Sequence, residues 1–214
     1  MAPLSLIHNW FLDLVLPRRC LGCGKYYTDL CRACLARLPQ SKLPDKRIFA
    51  LCNYEDDLVK KLIWNLKYKN LRAVGGILGR ELAHNLPEEW RGRGVIYVVP
   101  IPLARSRKRE RGYNQAEVIA RAMVNNDPAS YRLAAKWLVK VKDTPSQVSL
   151  KSRAARLKNL RGAFALGKSA REIRGKTILL VDDVVTTGGT LNEARSILNQ
   201  AGARRVHAAA LAHG

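Results

Sequence analysis

The chain has 214 residues, 47% of them hydrophobic and 26% charged, enough for one α/β domain with its own core and a small appendage; neither disorder nor a fibrous structure fits that balance. Lys and Arg number 38 against 17 Asp and Glu, a formal net charge of +21. An enzyme acting on a small metabolite has no need of such an excess and a polyanion binder does; a solvated basic surface or contact with an acidic membrane are the alternatives.

Residues 1–17 are apolar but have no basic leading region and no small-residue cleavage site, and Asn9, Asp13 and Pro17 leave the run too short to span a bilayer. Leu6, Trp10 and Leu14, with Ile7 and Phe11, predict an amphipathic helix docked on the domain. Its polar face carries Asp13 and no cation, which speaks against a membrane-surface helix. No integral membrane segment is expected, and the protein is placed in the cytoplasm, with peripheral contact at the inner face of the membrane as the alternative.

Cys20 and Cys23, then Cys31 and Cys34, form two Cys-x-x-Cys knuckles separated by seven residues. Four thiolates at that spacing suit a closed, tetrahedral, structural Zn²⁺ site; disulfides and an iron–sulfur cluster are the other readings. Cys52 lies outside the pattern and reads as a core cysteine. The polar, proline-containing stretch Pro39–Arg47 reads as a linker, which divides the chain into an N-terminal helix and zinc-finger module over 1–45 and a main domain over 46–214.

In the main domain Ile48–Tyr54 predicts a strand, and Asp57–Lys67 a helix with Leu58, Leu62, Ile63 and Leu66 on one face. Leu71–Leu86 predicts a second helix, whose Gly75, Gly76 and Gly79 suggest close backbone packing. Val95–Val99 predicts a buried strand that Pro100 and Pro102 should stop from continuing as a central strand. Five cations follow it, Arg105, Arg107, Lys108, Arg109 and Arg111, suited to a pyrophosphate or to a nucleic-acid backbone, or else merely solvated. Ala116–Val124 continues as helix and Leu133–Val141 is compatible with a strand. Lys142–Gly162 is polar and basic, and Arg204–Leu211 predicts a last strand.

The most informative stretch is Lys176–Thr190. Thr177–Val181 is an apolar, β-branched run that suits a strand buried on both faces of a parallel sheet. It stops at Asp182 and Asp183, then passes through Thr186, Thr187, Gly188, Gly189 and Thr190 into a helical pattern at Leu191, Ala194, Ile197 and Leu198. Consecutive glycines let backbone N–H groups converge on an anion at the helix N-terminus, and the threonines add hydroxyl donors. Two carboxylates beside such a cradle would repel a phosphate unless they face hydroxyl groups or a divalent cation, and a phosphorylated sugar meets both requirements. The bland alternative is an ordinary strand-to-helix turn with capping residues.

Val181–Thr190 resembles the phosphoribosyl-pyrophosphate (PRPP) signature of type I phosphoribosyltransferases, and the rest of the chain narrows the resemblance to the ComF (ComFC/GntX-like) competence family. Val99–Pro102 with Arg111-Gly-Tyr-Asn-Gln-Ala116 is similar to that family and to the amidophosphoribosyltransferases. Lys67-Tyr-Lys-Asn70 resembles a family segment in which Gly is usual where Asn70 stands. The resemblance implies a type I phosphoribosyltransferase-like α/β fold, a parallel sheet flanked by helices, with a small N-terminal four-cysteine zinc module. It implies that Asp182 and Asp183 hold the ribose hydroxyls, that Thr186, Thr187, Gly188, Gly189 and Thr190 hold the 5′-phosphate, and that Mg²⁺ accompanies PRPP. Lys142–Gly162 would be the mobile loop that closes over PRPP, an exposed basic helix being the competing view. Three functions share this site: handling of imported single-stranded DNA in natural transformation, transfer of phosphoribosyl to a nitrogen nucleophile, or sensing of PRPP. Competence helicases and recombination mediators are partners by family analogy alone.

Overall fold

The computed structural model describes residues 17–43, 45–91, 94–142 and 162–214. The expected N-terminal helix and nearly all of the expected mobile loop lie outside them. In chain order the main elements are α1 (Arg32–Ala36), β1 (Ile48–Asn53), α2 (Asp57–Tyr68), α3 (Arg72–Asn85), β2 (Ile96–Pro100), α4 (Arg105–Arg111), α5 (Gln115–Asn126), β3 (Tyr131–Leu133), β4 (Leu138–Lys140), β5 (Phe164–Leu166), β6 (Thr177–Val185), α6 (Gly189–Gln200) and β7 (Arg205–His213). Five strands form one sheet in the order β1-β7-β6-β2-β3, every pair parallel. β4 and β5 form a separate antiparallel pair in which Lys140 faces Phe164.

The apolar run of β6 has a direct structural cause. Leu179 and Val181 point into a core shared with α2, α3 and α5, whereas Ile178 and Leu180 point into a second core with α6, Trp137 and Ile173. A strand sandwiched in this way has no polar face, so its pattern is continuous and does not alternate. Beside it β7 presents Ala208, Ala209 and Ala210, all fully buried, small enough for helices on both faces to pack closely against the sheet. Buried Arg195 of α6 ties this edge together: it donates to the carbonyls of Val206 (3.1 Å) and Arg47 (2.8 Å) and to Asn192 Oδ1 (2.8 Å). Nothing in the local pattern around Arg195 foretells this role.

Several expectations need correction. Pro100 belongs to β2, a central strand, in register with Val181. Val98 accepts from Ala134 on the β3 side and Ile101 donates to Val181 on the other, so the ring nitrogen of Pro100 faces the β3 side, past the point where that strand ends at Leu133. The missing donor therefore breaks no ladder bond. Leu133–Val141 is not one strand: Leu133 ends β3 in the main sheet and Leu138 opens β4 in the hairpin. Pro39–Arg47 does not run free, because Asn53 donates to the Pro39 carbonyl (2.8 Å) and Ser41 to that of Leu51 (3.3 Å), alongside β1. Asn70 adopts φ +55, the left-handed conformation that Asn tolerates where Gly is usual.

Of the three α3 glycines two pack closely. A Cβ on Gly75 would lie 2.9 Å from Leu66 Cδ1 and one on Gly79 only 2.8 Å from the Ile119 carbonyl oxygen, while Gly76 faces nothing nearer than Arg80 Nη1 at 3.8 Å. Gly79→Ala is therefore expected to destabilise the protein by about 1–3 kcal/mol through a backbone clash. Gly76→Ala should be neutral or stabilise it by up to about 1 kcal/mol, as helix propensity dictates. Urea unfolding of the two variants beside the parent chain measures both.

Candidate functional site

β6 continues past its apolar run, which places Asp182 and Asp183 at the carboxyl edge of the sheet, where open α/β sheets receive ligands. Asp183 is buried and Asp182 half-buried. The Asp183 N–H donates to Asp182 Oδ1 at 2.8 Å, and Lys67 Nζ from the end of α2 stands 3.4 Å from Asp183 Oδ1. Burial, then the adjacent Asp183 charge, push the Asp182 carboxyl well above the usual range; the Asp183 N–H, Lys67 and Lys140 oppose them less strongly. The pair favours any ligand that brings hydroxyl donors or a cation.

Beyond β6 the chain turns through exposed Thr186, half-buried Thr187 and buried Gly188, and α6 begins at Gly189. Gly188 has φ +72, a conformation that favours glycine, and a Cβ there would approach Ile48 Cδ1 to 3.1 Å, close enough that this side chain would have to shift. Its carbonyl accepts the Asn192 N–H at 2.8 Å. The result is a tight turn of backbone and hydroxyl donors at the start of a 12-residue helix, directly beside the acidic pair.

The five predicted cations do not converge. They lie on a short helix, α4, which distributes them around its circumference. Arg105 and Lys108 line a cavity of about 480 Å³ whose far wall is the β4–β5 hairpin with Lys136, Lys140 and Lys168. Arg111 turns elsewhere: its Nη1 donates to Gln115 Oε1 at 3.1 Å and its guanidinium lies 5.3 Å from the Tyr68 ring centre. Arg107 is half-buried and Arg109 exposed on the remaining surface. Sequence reading assigns no charge role to Lys67, Lys136, Lys140 or Lys168, which only the folded chain brings to this edge; the place of Lys67 at the end of an amphipathic helix is the one available hint.

The Sγ atoms of Cys20, Cys23, Cys31 and Cys34 all lie within 4.8 Å of one another, and the four could hold a zinc ion. Cys23 and Cys31 Sγ are 3.7 Å apart, and the Cys31 N–H donates to Cys20 Sγ at 3.4 Å. Burial raises the Cys20 thiol, but the N–H groups of Cys23, Cys31 and Gly22 outweigh it and bring it down to about 6. A Cβ on Gly22 would meet Cys34 Sγ at 2.7 Å, so the first knuckle closes only around glycine. The module leans on α2, where Lys61 Nζ donates to the Leu21 carbonyl at 2.8 Å. Cys52 is buried in the core, and burial pushes its thiol up to about 12.

Residues 78–214 match the family model of the phosphoribosyl transferase domain, so the parallel sheet, its flanking helices and the acidic loop define a type I phosphoribosyltransferase fold. Almost the whole chain is also similar to Competence protein F of Haemophilus influenzae, 30% identical over 208 residues covering 90% of this chain and 83% of that protein. It is 29% identical over 221 residues to DNA utilization protein YhgH of Escherichia coli, covering 95% and 90%. With Competence protein ComFC of Bacillus subtilis the identity is 26% over 147 residues, covering 69% and 56%. The chain belongs to the ComF family. Among its described residues no helix is long and apolar enough to cross a membrane.

Because the folded-state pKa of Asp182 is raised above its unfolded value, the ionised carboxylate costs stability: the cost is absent below the unfolded pKa and complete above the folded one. Asp182→Asn, which keeps the acceptor for the Asp183 N–H, should therefore raise the melting temperature at pH 8 by about 2–4 °C per kcal/mol relieved, with the gain shrinking towards pH 5. Thermal scans across that range read it. For the cysteine cluster, metal analysis should find stoichiometric zinc in the parent chain and its loss, with a lower melting temperature, in Cys34→Ser.

Proposed function

We propose that this protein binds PRPP with Mg²⁺ at the carboxyl edge of its sheet and handles single-stranded DNA in the cytoplasm during natural transformation. The observation that carries the reading is the Asp182–Asp183 pair beside the Gly188 turn, with Lys140 of the cationic cavity near enough to act on the Asp182 charge. Asp182 and Asp183 accept from the ribose 2′- and 3′-hydroxyls, whose donors relieve the repulsion between the carboxylates. The N–H groups and hydroxyls of Thr186, Thr187, Gly188, Gly189 and Thr190 donate to the 5′-phosphate at the start of α6. Arg105 and Lys108, with Lys140 and Lys168 opposite, take the pyrophosphate; bound Mg²⁺ would neutralise part of its charge. Arg109 and Arg111, with Arg107 beside them, lie outside the lining of the cavity, and we assign them to a nucleic-acid backbone. The net charge of +21 supports that partner, as do the names of the relatives, which speak of competence and DNA utilization.

A second reading, transfer of phosphoribosyl to a nitrogen nucleophile, is favoured by one observation: the cavity of about 480 Å³ between α4 and the hairpin is roomy enough for an acceptor. The protein would then act by positioning and by stabilising positive charge developing at C1 of the sugar. Product analysis with PRPP and candidate amines separates the two readings.

Calorimetric titration with PRPP and Mg²⁺ should show saturable binding that Asp183→Asn weakens at least about tenfold, the loss of a charge-assisted hydrogen bond. Affinity should also decline as pH falls through the raised pKa of Asp182 and the carboxylate takes up a proton. Binding indifferent to both changes would remove the acidic pair from the ligand site. Binding of a labelled single-stranded oligonucleotide should fall steeply with salt.

A further inference from the structure

The outer face of α2 is hard to explain as part of a closed domain. Trp64 and Tyr68 are 48% and 53% exposed, stand one helical turn apart, and hold their ring centres 5.9 Å from each other at 49°. Each is overlaid by a cation, Lys69 Nζ at 5.3 Å from the Trp64 ring and Arg111 at 5.3 Å from that of Tyr68, and about half of each residue stays open with the cation in place. The cysteine module repeats the arrangement. Tyr26 and Tyr27 are 47% and 65% exposed, and the Arg19 guanidinium sits 4.5 Å from the Tyr26 ring centre while donating to its hydroxyl at 2.7 Å. Tyr27 has φ +64, a conformation that is costly for a bulky residue and holds the ring outwards.

These two groups are physically joined. Lys61, on the stripe of α2 that carries Trp64 and Tyr68, binds the Leu21 carbonyl of the first knuckle at 2.8 Å. At the other end of the helix Lys67 reaches Asp183 at 3.4 Å. The rings therefore mark a path from the metal module along α2 to the acidic edge of the sheet. Tyr113, which the Arg72 guanidinium overlays at 4.5 Å, is buried with its hydroxyl on the Leu66 carbonyl and takes no part.

We propose that Trp64 and Tyr68, continued by Tyr26 and Tyr27, form a stacking track for the unpaired bases of a single strand, with Arg19, Lys69 and Arg111 holding its phosphates. The inference rests on the DNA reading above and adds to it the surface and the mode of contact. Open ring faces need bases that are not already stacked in a duplex, and cations beside the rings match a chain with a phosphate at each nucleotide. A protein partner would be drawn to the rings as well, but gains nothing from three cations placed among them unless it is acidic.

The test compares the full chain with a Trp64→Ala/Tyr68→Ala variant against two probes, oligo(dT) and an abasic strand of the same length, at one fixed salt concentration. Stacking by two rings predicts that the variant loses at least about tenfold in affinity for oligo(dT) and almost none for the abasic strand. In a Trp10→Phe background oligo(dT) should also quench tryptophan emission, and adding Trp64→Ala should remove that quenching, since Trp90 and Trp137 are buried and Trp10 lies outside the described residues. Both substituted side chains are exposed, and a thermal scan verifies the fold. Equal affinity of the parent for both probes, or full retention of oligo(dT) binding by the variant, overturns the track while leaving DNA binding in place. Failure of the parent to bind either probe overturns the DNA reading and the track together.

Discussion

Asp182 and Asp183 sit in contact near the carboxyl end of a strand whose other residues, Thr177 apart, are all apolar, and the packing of that strand keeps them there. Burial raises the proton affinity of Asp182, which means the native fold holds a carboxylate where it is energetically unwelcome. The packing around the strand fixes where that carboxyl stands. Here β6 is locked between β2 and β7 and packed into a core on each face, so the register that buries Ile178–Val181 also fixes the carboxylates at the sheet edge. Gly188 then turns the chain beside the Ile48 side chain of β1, in a left-handed conformation that favours glycine.

The second organising element is α2. Its buried face, Val59, Leu62, Ile63 and Leu66, fills the core; Lys61 holds the cysteine module; and Lys67 meets Asp183. The four-cysteine module, too small to bury a core of its own, thus gains a rigid neighbour, and the helix links it to the acidic edge of the sheet. The cost of separating the two is the loss of the packing between Leu58 and the first knuckle as well as the Lys61 bond.

How much of this was legible depended on whether the signal was local. The apolar run of β6, the glycine turn and the paired knuckles each spell their structure within a few residues, and the fold and family readings built on them stand. Pro100 misled because the rule against proline in central strands concerns a donor that has a partner; here the neighbouring strand has already ended. Leu133–Val141 misled because Leu133 and Trp137–Val141 suit strands, while the Ala134-Ala-Lys136 segment between them, of types depleted in strands, marks where the chain passes from one sheet to the other. The basic stretch after β2 is a concentration of charge, but a short helix disperses five cations that their spacing seemed to gather. Lys140 and Lys168 were invisible for the opposite reason: they are far from β6 in sequence and come to its edge only in the folded chain, as does Lys67, for which the helix end was a hint.

If PRPP binds at this edge as proposed, the raised carboxyl of Asp182 is the group it acts on. Calorimetric titration of PRPP and Mg²⁺ near neutral pH, repeated in buffers of different ionisation enthalpy, counts protons exchanged on binding and tests this most directly. The parent chain should release protons, because ligand hydroxyls and the cation favour the ionised carboxylate, and Asp182→Asn should release fewer. Binding with the same proton count in both proteins would contradict it.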